Sequence, residues 1–199
     1  MYAGRRGTSA FSCWLRAALI AVAFGLASAA AAESAVKSIE IRRTEDGYVV
    51  DLVMLAPVPR ELAFEVLVDF EHMANWVPNV RESRVLKRDP DRATVEQQGV
   101  AHFGLLSFPF TTVREIEFAA PASIHSTQVK GSMKRLESRM SLAPDGAGTR
   151  LDYHVEMVPG GAAAVVLSKS FLEHEFREQF DAIIAEMVRR KGGAAPAPR

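Results

Sequence analysis

Five histidines, a single cysteine and one arginine set among aromatics are the residues of this chain with the clearest capacity for chemistry. The histidines stand at His72, His102, His125, His154 and His174. No two of them show the His-x-His or His-Glu-x-x-His spacing that brings two imidazoles to one metal. No Gly-x-Ser-x-Gly turn exposes a serine nucleophile, and no glycine-rich phosphate loop follows a strand. No catalytic set, metal or cofactor is expected on these grounds. Arg114 is the exception to this bland inventory. Along Ser107–Phe118 the alternate residues are Phe108, Phe110, Thr112, Arg114, Ile116 and Phe118, so a strand there places a guanidinium on an aromatic face. A buried guanidinium is costly unless it is paired or reserved for a ligand anion. A structural ion pair with Glu82 or Glu96, or a parity slip at a bulge near Pro109, would account for it equally, and the sequence leaves these readings open.

The elements that position Arg114 follow from periodicity. Runs of period 2 occupy Ser38–Thr44, Tyr48–Ala56, Val80–Lys87, Ala93–Phe103, Ser107–Phe118, Ser123–Val129, Met133–Ala143 and Thr149–Val158. Turn-forming residues separate them, among them Glu45-Asp46-Gly47 and Asp89-Pro90-Asp91. Spacing this regular predicts an antiparallel meander, which must bury one face. Parity puts Leu136, Ser138, Met140 and Leu142 on one face of their strand, and Leu151, Tyr153, Val155 and Met157 on one face of the next. A long amphipathic helix beginning near Gly161 is expected to cover that face. At about 100° per residue, Val165, Leu172, Phe176, Phe180, Ile183 and Met187 fall in one arc, while Glu175, Arg177, Glu178, Asp181 and Glu186 lie outside it. Glu173/Arg177 and Glu186/Arg190 are i,i+4 pairs in the favourable order. His174 lies on the polar side of this helix, and His102, His125 and His154 lie on the strand faces opposite the apolar one.

Between the second and third strands lies Leu55-Ala56-Pro57-Val58-Pro59, then a short apolar helix, then Val68-Asp69-Phe70…Trp76-Val77-Pro78. Pro59 can start a helix, and Pro78 discourages the residue before it from staying helical. This order of strand, short helix, aromatic at a break, strands and long helix resembles the START-like, helix-grip superfamily. Within it, the chain looks most like the coenzyme Q-binding and polyketide cyclase/dehydrase branch, over roughly residues 36 to 190. The resemblance implies an α+β fold: a curved antiparallel sheet of about seven strands around the C-terminal helix, with short helices near 59–74 closing one end. It also implies that the helix caps a cavity lined by Trp76, Phe108, Phe110, Met140, Met157, Phe176 and Phe180, with Arg114 or Tyr153 meeting the polar end of a ligand. A plain hydrophobic core is the competing reading of the same stripe.

The N-terminus suggests a compartment. Arg5, Arg6 and Arg16 precede the apolar run Ala17–Leu26, and Ala30-Ala31-Ala32 follows, the layout of a secretory signal too short to span a bilayer. Residues 1–32 are expected to be removed, leaving a ligand-binding domain over 33–192 and a disordered tail over 193–199 that is rich in Gly, Ala and Pro. Three arginines and no acid would leave with the signal, so the remaining 167 residues carry a net charge of −3 and no cysteine. A mildly acidic chain is a poor nucleic-acid binder, and a cysteine-free one forms no disulfide and does no thiolate chemistry. The expected function is therefore an exported bacterial protein, periplasmic or secreted, holding a hydrophobic small molecule (lipid, quinone or isoprenoid) as a non-catalytic carrier or sensor. The alternative is a polyketide cyclase/dehydrase-like enzyme in which Tyr153 and Arg114 polarise a carbonyl. Export argues for the carrier, because polyketide assembly is cytoplasmic. Leu105 and Leu106 in the strand connection and Leu167 and Phe171 on the helix are expected to form an apolar rim. That rim is either a portal, a transient contact with a membrane or a partner, or a packing surface for Trp76.

Overall fold

The structure is a computed structural model that describes residues 34–103, 106–161 and 167–193. The expected signal (1–32), Leu105, Val165 and the tail from Ala194 onward lie outside the described residues. Eight strands form one antiparallel sheet in the order β1-β2-β8-β7-β6-β5-β4-β3. They are β1 (Val36–Arg43), β2 (Tyr48–Ala56), β3 (Val80–Asp89), β4 (Arg92–Phe103), β5 (Leu106–Ala119), β6 (Ser123–Gly131), β7 (Met133–Asp145) and β8 (Gly148–Pro159). Every period-2 run of the sequence is a strand. The sheet has one strand more than the resemblance implied, because both arms of the first hairpin join it. Alternation is strict where it matters: Tyr48, Val50, Leu52, Met54 and Ala56 of β2 are buried, and the residues between them are half-exposed.

Among the described residues, two α-helices complete the fold. The chain leaves β2 at Pro57, and Pro59 precedes helix α1 (Arg60–Leu67), whose Ala63 N–H donates to the Pro59 carbonyl at 3.0 Å. A 3₁₀ turn over Phe70–Asn75 ends at Trp76, two residues before Pro78. Helix α1 closes one end of the sheet, and its Phe64 ring meets Phe118 of β5 edge-on at 6.2 Å. The C-terminal helix α2 (Lys169–Lys191) lies on the inward face. It starts at Lys169 and not near Gly161, because Ser168 caps it: the Ser168 hydroxyl accepts the Phe171 N–H at 3.2 Å. Leu172, Phe180, Ile183 and Met187 bury the expected stripe, each contributing about 1.5–3 kcal/mol through burial. Both i,i+4 pairs form, Glu173 with Arg177 and Glu186 with Arg190.

Two expectations for this helix are corrected. Glu175 and Glu186, placed outside the buried arc, are only 8% and 4% exposed. The helix packs against α1, β1, β2 and β4. Hydrogen-bond donors from β4, from Asn79 before β3 and from its own last turn satisfy both carboxylates, which removes most of the cost of burying them.

Candidate functional site

The inward face of β5 carries Phe108, Phe110, Thr112, Arg114, Ile116 and Phe118, the parity expected of it. At the α1 end this face is solid core. Towards the start of the strand it walls a cavity of about 230 Å³ between β4, β5, β7, β8 and α2. Phe108, Phe110, Arg114, Tyr153, Met157 and Phe176 line it, as does Leu136. Phe108 meets Phe171 of the helix edge-on at 5.8 Å, and Tyr153 packs against Phe176 at 6.2 Å.

The structure does not bring Trp76, Met140 and Phe180 into that lining. Met140 lies further along β7, at the end where α1 packs, and is 6% exposed in solid core. Phe180 is 4% exposed and fills the space behind Tyr153, ring to ring at 5.1 Å. Trp76 packs against the core where the 3₁₀ turn ends, outside the cavity. The rim expectation is also corrected in part. Leu167 and Phe171 are neighbours of the β5 wall, but they are buried and line the cavity, so they offer little surface to a membrane. Tyr48 holds this corner by donating to the Leu167 carbonyl at 2.8 Å.

Polar groups are interspersed with the apolar wall, and several of them are tied to one another. Arg114 Nη2 donates to Gln97 Oε1, while Gln97 Nε2 donates to Ser83 Oγ at 3.1 Å and to Met73 Sδ at 3.3 Å. Arg114 Nε is buried and makes no hydrogen bond. Arg114 and Tyr153 both line the cavity. Burial pulls the Arg114 guanidinium below its ordinary range, and the neighbouring Tyr153 opposes this. Burial pushes the Tyr153 phenol up, against a hydrogen bond with Ser138 and the charge of Arg114, so it stays protonated. On the other wall, Glu175 accepts from Asn79 Nδ2 at 3.0 Å and from the His102 N–H at 3.2 Å.

Several of these partners were not singled out in the sequence. Gln97 shares parity with Ala93 and Val95, so the alternation of β4 would have found it. Nothing in the sequence marks Asn79 or Glu175. The structural ion pair considered for Arg114 is overturned: Glu82 and Glu96 both approach Arg84, at 3.5 and 3.3 Å, on the opposite face. His174, Glu175 and Glu178 lie within 4.8 Å of one another, but Glu175 is already committed to Asn79 and His102, so the group makes a poor metal site. A larger hollow of about 570 Å³ lies on the outer face of the sheet, walled by Asp51, His125, Arg139, Asp152 and His154. Its groups satisfy one another, with His154 on Asp51 at 2.6 Å and His125 on Glu137 at 3.1 Å. The inward cavity, with its apolar wall, is the better ligand site.

Residues 56–184 match the family model described as polyketide cyclase/dehydrase and lipid transport, and the chain belongs to that family. Solved structures share the fold. A STAR-related lipid transfer protein from Xanthomonas axonopodis is 16% identical, with a TM-score of 0.62 over 75% of this chain and 92% of that one. The Zhui aromatase/cyclase from Streptomyces sp. R1128 is 15% identical, with a TM-score of 0.60 over 78% and 100%. A START superfamily protein from Mycobacterium smegmatis is 15% identical, with a TM-score of 0.54 over 72% and 95%. No curated protein matches the sequence.

Proposed function

We propose that this protein is an exported carrier or sensor that holds a hydrophobic small molecule between the sheet and helix α2. One observation carries the reading. The cavity is walled by Phe108, Phe110, Leu136, Met157, Phe171 and Phe176, with polar groups such as Gln97, Arg114, Tyr153 and Glu175 among them, a combination that suits a small-molecule site. Family membership supports a hydrophobic ligand, and the basic, apolar and Ala-x-Ala layout of residues 5–32 supports export. The coenzyme Q-binding branch is the proposed sub-family.

The volume narrows the ligand. A cavity of about 230 Å³ suits a compact molecule or the head of a longer one. A carrier role is favoured over a cyclase because Glu175, the carboxylate of the cavity, is held by two donors and is not free to act as a base. Among the described residues, no histidine lines the cavity to serve as a base.

Native mass spectrometry of the protein purified from its own cells, followed by organic extraction, tests the reading. A co-purifying apolar compound on a chain beginning near Glu33 is the expected result. A full-length cytoplasmic chain would remove export from the proposal, and turnover of a polyketide substrate would replace the carrier with the enzyme.

A further inference from the structure

The geometry points to a more specific ligand class: a compact apolar molecule bearing one carboxylate, which Arg114 grips. This rests on the ligand-binding reading of the cavity. Arg114 is a half-buried cation, its Nε fully buried, that makes no ion pair with any described carboxylate. Its nearest acidic candidates, Glu82 and Glu96, sit on the other face with Arg84. Glu175 shares the cavity but is tied to the His102 N–H, and the strand partner of His102 is Ser107. The other donor to Glu175, Asn79, lies against Gly99, whose strand partner Phe110 is four residues from Arg114, roughly 13 Å of extended chain.

What Arg114 does have is a neutral acceptor. Gln97 is locked by Ser83 and Met73 so that its carbonyl oxygen, and not its NH₂, faces the guanidinium. That arrangement orients the arginine without neutralising it. Arg114 Nε remains without an acceptor, and so does the buried hydroxyl of Thr112, two residues away on the same face. A buried donor without an acceptor and a half-buried cation without a counter-charge are both unfavourable. A ligand carboxylate would satisfy both at once, with its oxygens on the planar guanidinium fork and the Thr112 hydroxyl within reach. A dianion fits less well. Arg114 is the one cationic side chain among the described lining residues, so a phosphate monoester would bring a second negative charge with nothing to meet it.

Calorimetric titration of the full chain with octanoate, octanol and octyl phosphate tests the assignment. Octanoate should bind roughly ten- to a hundredfold more tightly than octanol, the range for hydrogen bonds to a charged group, and octyl phosphate should bind more weakly than octanoate. Arg114→Met should bring octanoate down to the level of octanol. Arg114→Lys, which keeps the charge but loses the fork, should fall between. If Arg114→Met fails to fold, the wild-type comparison and Arg114→Lys decide the matter. Equal affinity for octanoate and octanol would overturn the carboxylate while leaving an apolar ligand cavity in place. Tighter binding of octyl phosphate would overturn it in favour of phosphate. Binding of none of the three would overturn both the carboxylate and the cavity reading.

Discussion

Arg190 joins the closed end of the sheet to the end of helix α2, and replacing it with methionine has a calculable cost. Its Nη2 donates to Asp69 Oδ2 at 2.6 Å and its Nε donates to Glu186 Oε1 at 2.7 Å. The three side chains are 12%, 17% and 3% exposed, so the pairs are screened far less than surface ones. Arg190→Met keeps the apolar stem but leaves Asp69 with His72 alone and Glu186 with Arg189 alone. Removing one partner of a buried pair costs about 3–5 kcal/mol, which for a domain of this size is about 6–20 °C in melting temperature. Asp69→Asn, which removes one charge and leaves Arg190 on Glu186, should cost less, about 1.5–3 kcal/mol.

The pH dependence has a definite sign. Burial raises both carboxyls, but hydrogen bonds from His72 and Arg190 to Asp69, and from Arg189 and Arg190 to Glu186, outweigh it and hold both below their ordinary values. Folded values below the unfolded ones, which lie near about 4, mean stability that is fully present above the unfolded values. It is lost as pH falls through the folded ones. Urea denaturation followed by circular dichroism should therefore show a gap between wild type and Arg190→Met that is widest near neutrality and narrows in acid. A gap under about 1 kcal/mol at neutral pH, or one that stays constant into acid, would refute the clamp.

Two further substitutions probe the site and its frame. A Cβ built on Gly99 would collide with the Asn79 carbonyl oxygen and the Phe110 ring. Gly99→Ala should therefore lower the melting temperature and, by displacing Phe110, weaken octanoate binding beyond what lost folding explains. Thr149 is 1% exposed and donates to the Val58 carbonyl at 2.8 Å, fixing the chain as it enters α1. Thr149→Val should cost about 1–3 kcal/mol in denaturant with ligand affinity unchanged, since the contact is remote from the cavity.

The sheet was legible because its signal is local. Each strand alternates, and residues such as Asp89-Pro90-Asp91 mark where one strand ends. Parity alone placed Arg114, Tyr153, Leu136 and Met157 on the inward face. The helix was less legible. An amphipathic wheel assumes one apolar neighbour, whereas α2 meets the sheet, α1 and β4, so Glu175 and Glu186 are buried against donors that are remote in sequence. Asp69 and Arg190 lie 121 positions apart, and no periodicity pairs them. The depth at which the cavity ends was illegible for the same reason. Met140 and Phe180 have the right parity, but α1 and Tyr153 fill the space they would have lined.

The claim at the centre of this account is that the ligand sits inside, between the sheet and α2. Leu136→Trp adds bulk directly into the cavity at an overpacking cost of about 1–3 kcal/mol, while Val129→Trp adds the same ring at an exposed site on β6. The measurement is calorimetric titration of both variants with octanoate and octanol, with folding checked by circular dichroism. Folded Leu136→Trp should lose at least tenfold in affinity for both probes, and Val129→Trp should bind as wild type does. Unchanged affinity in folded Leu136→Trp would contradict the account and place the ligand elsewhere.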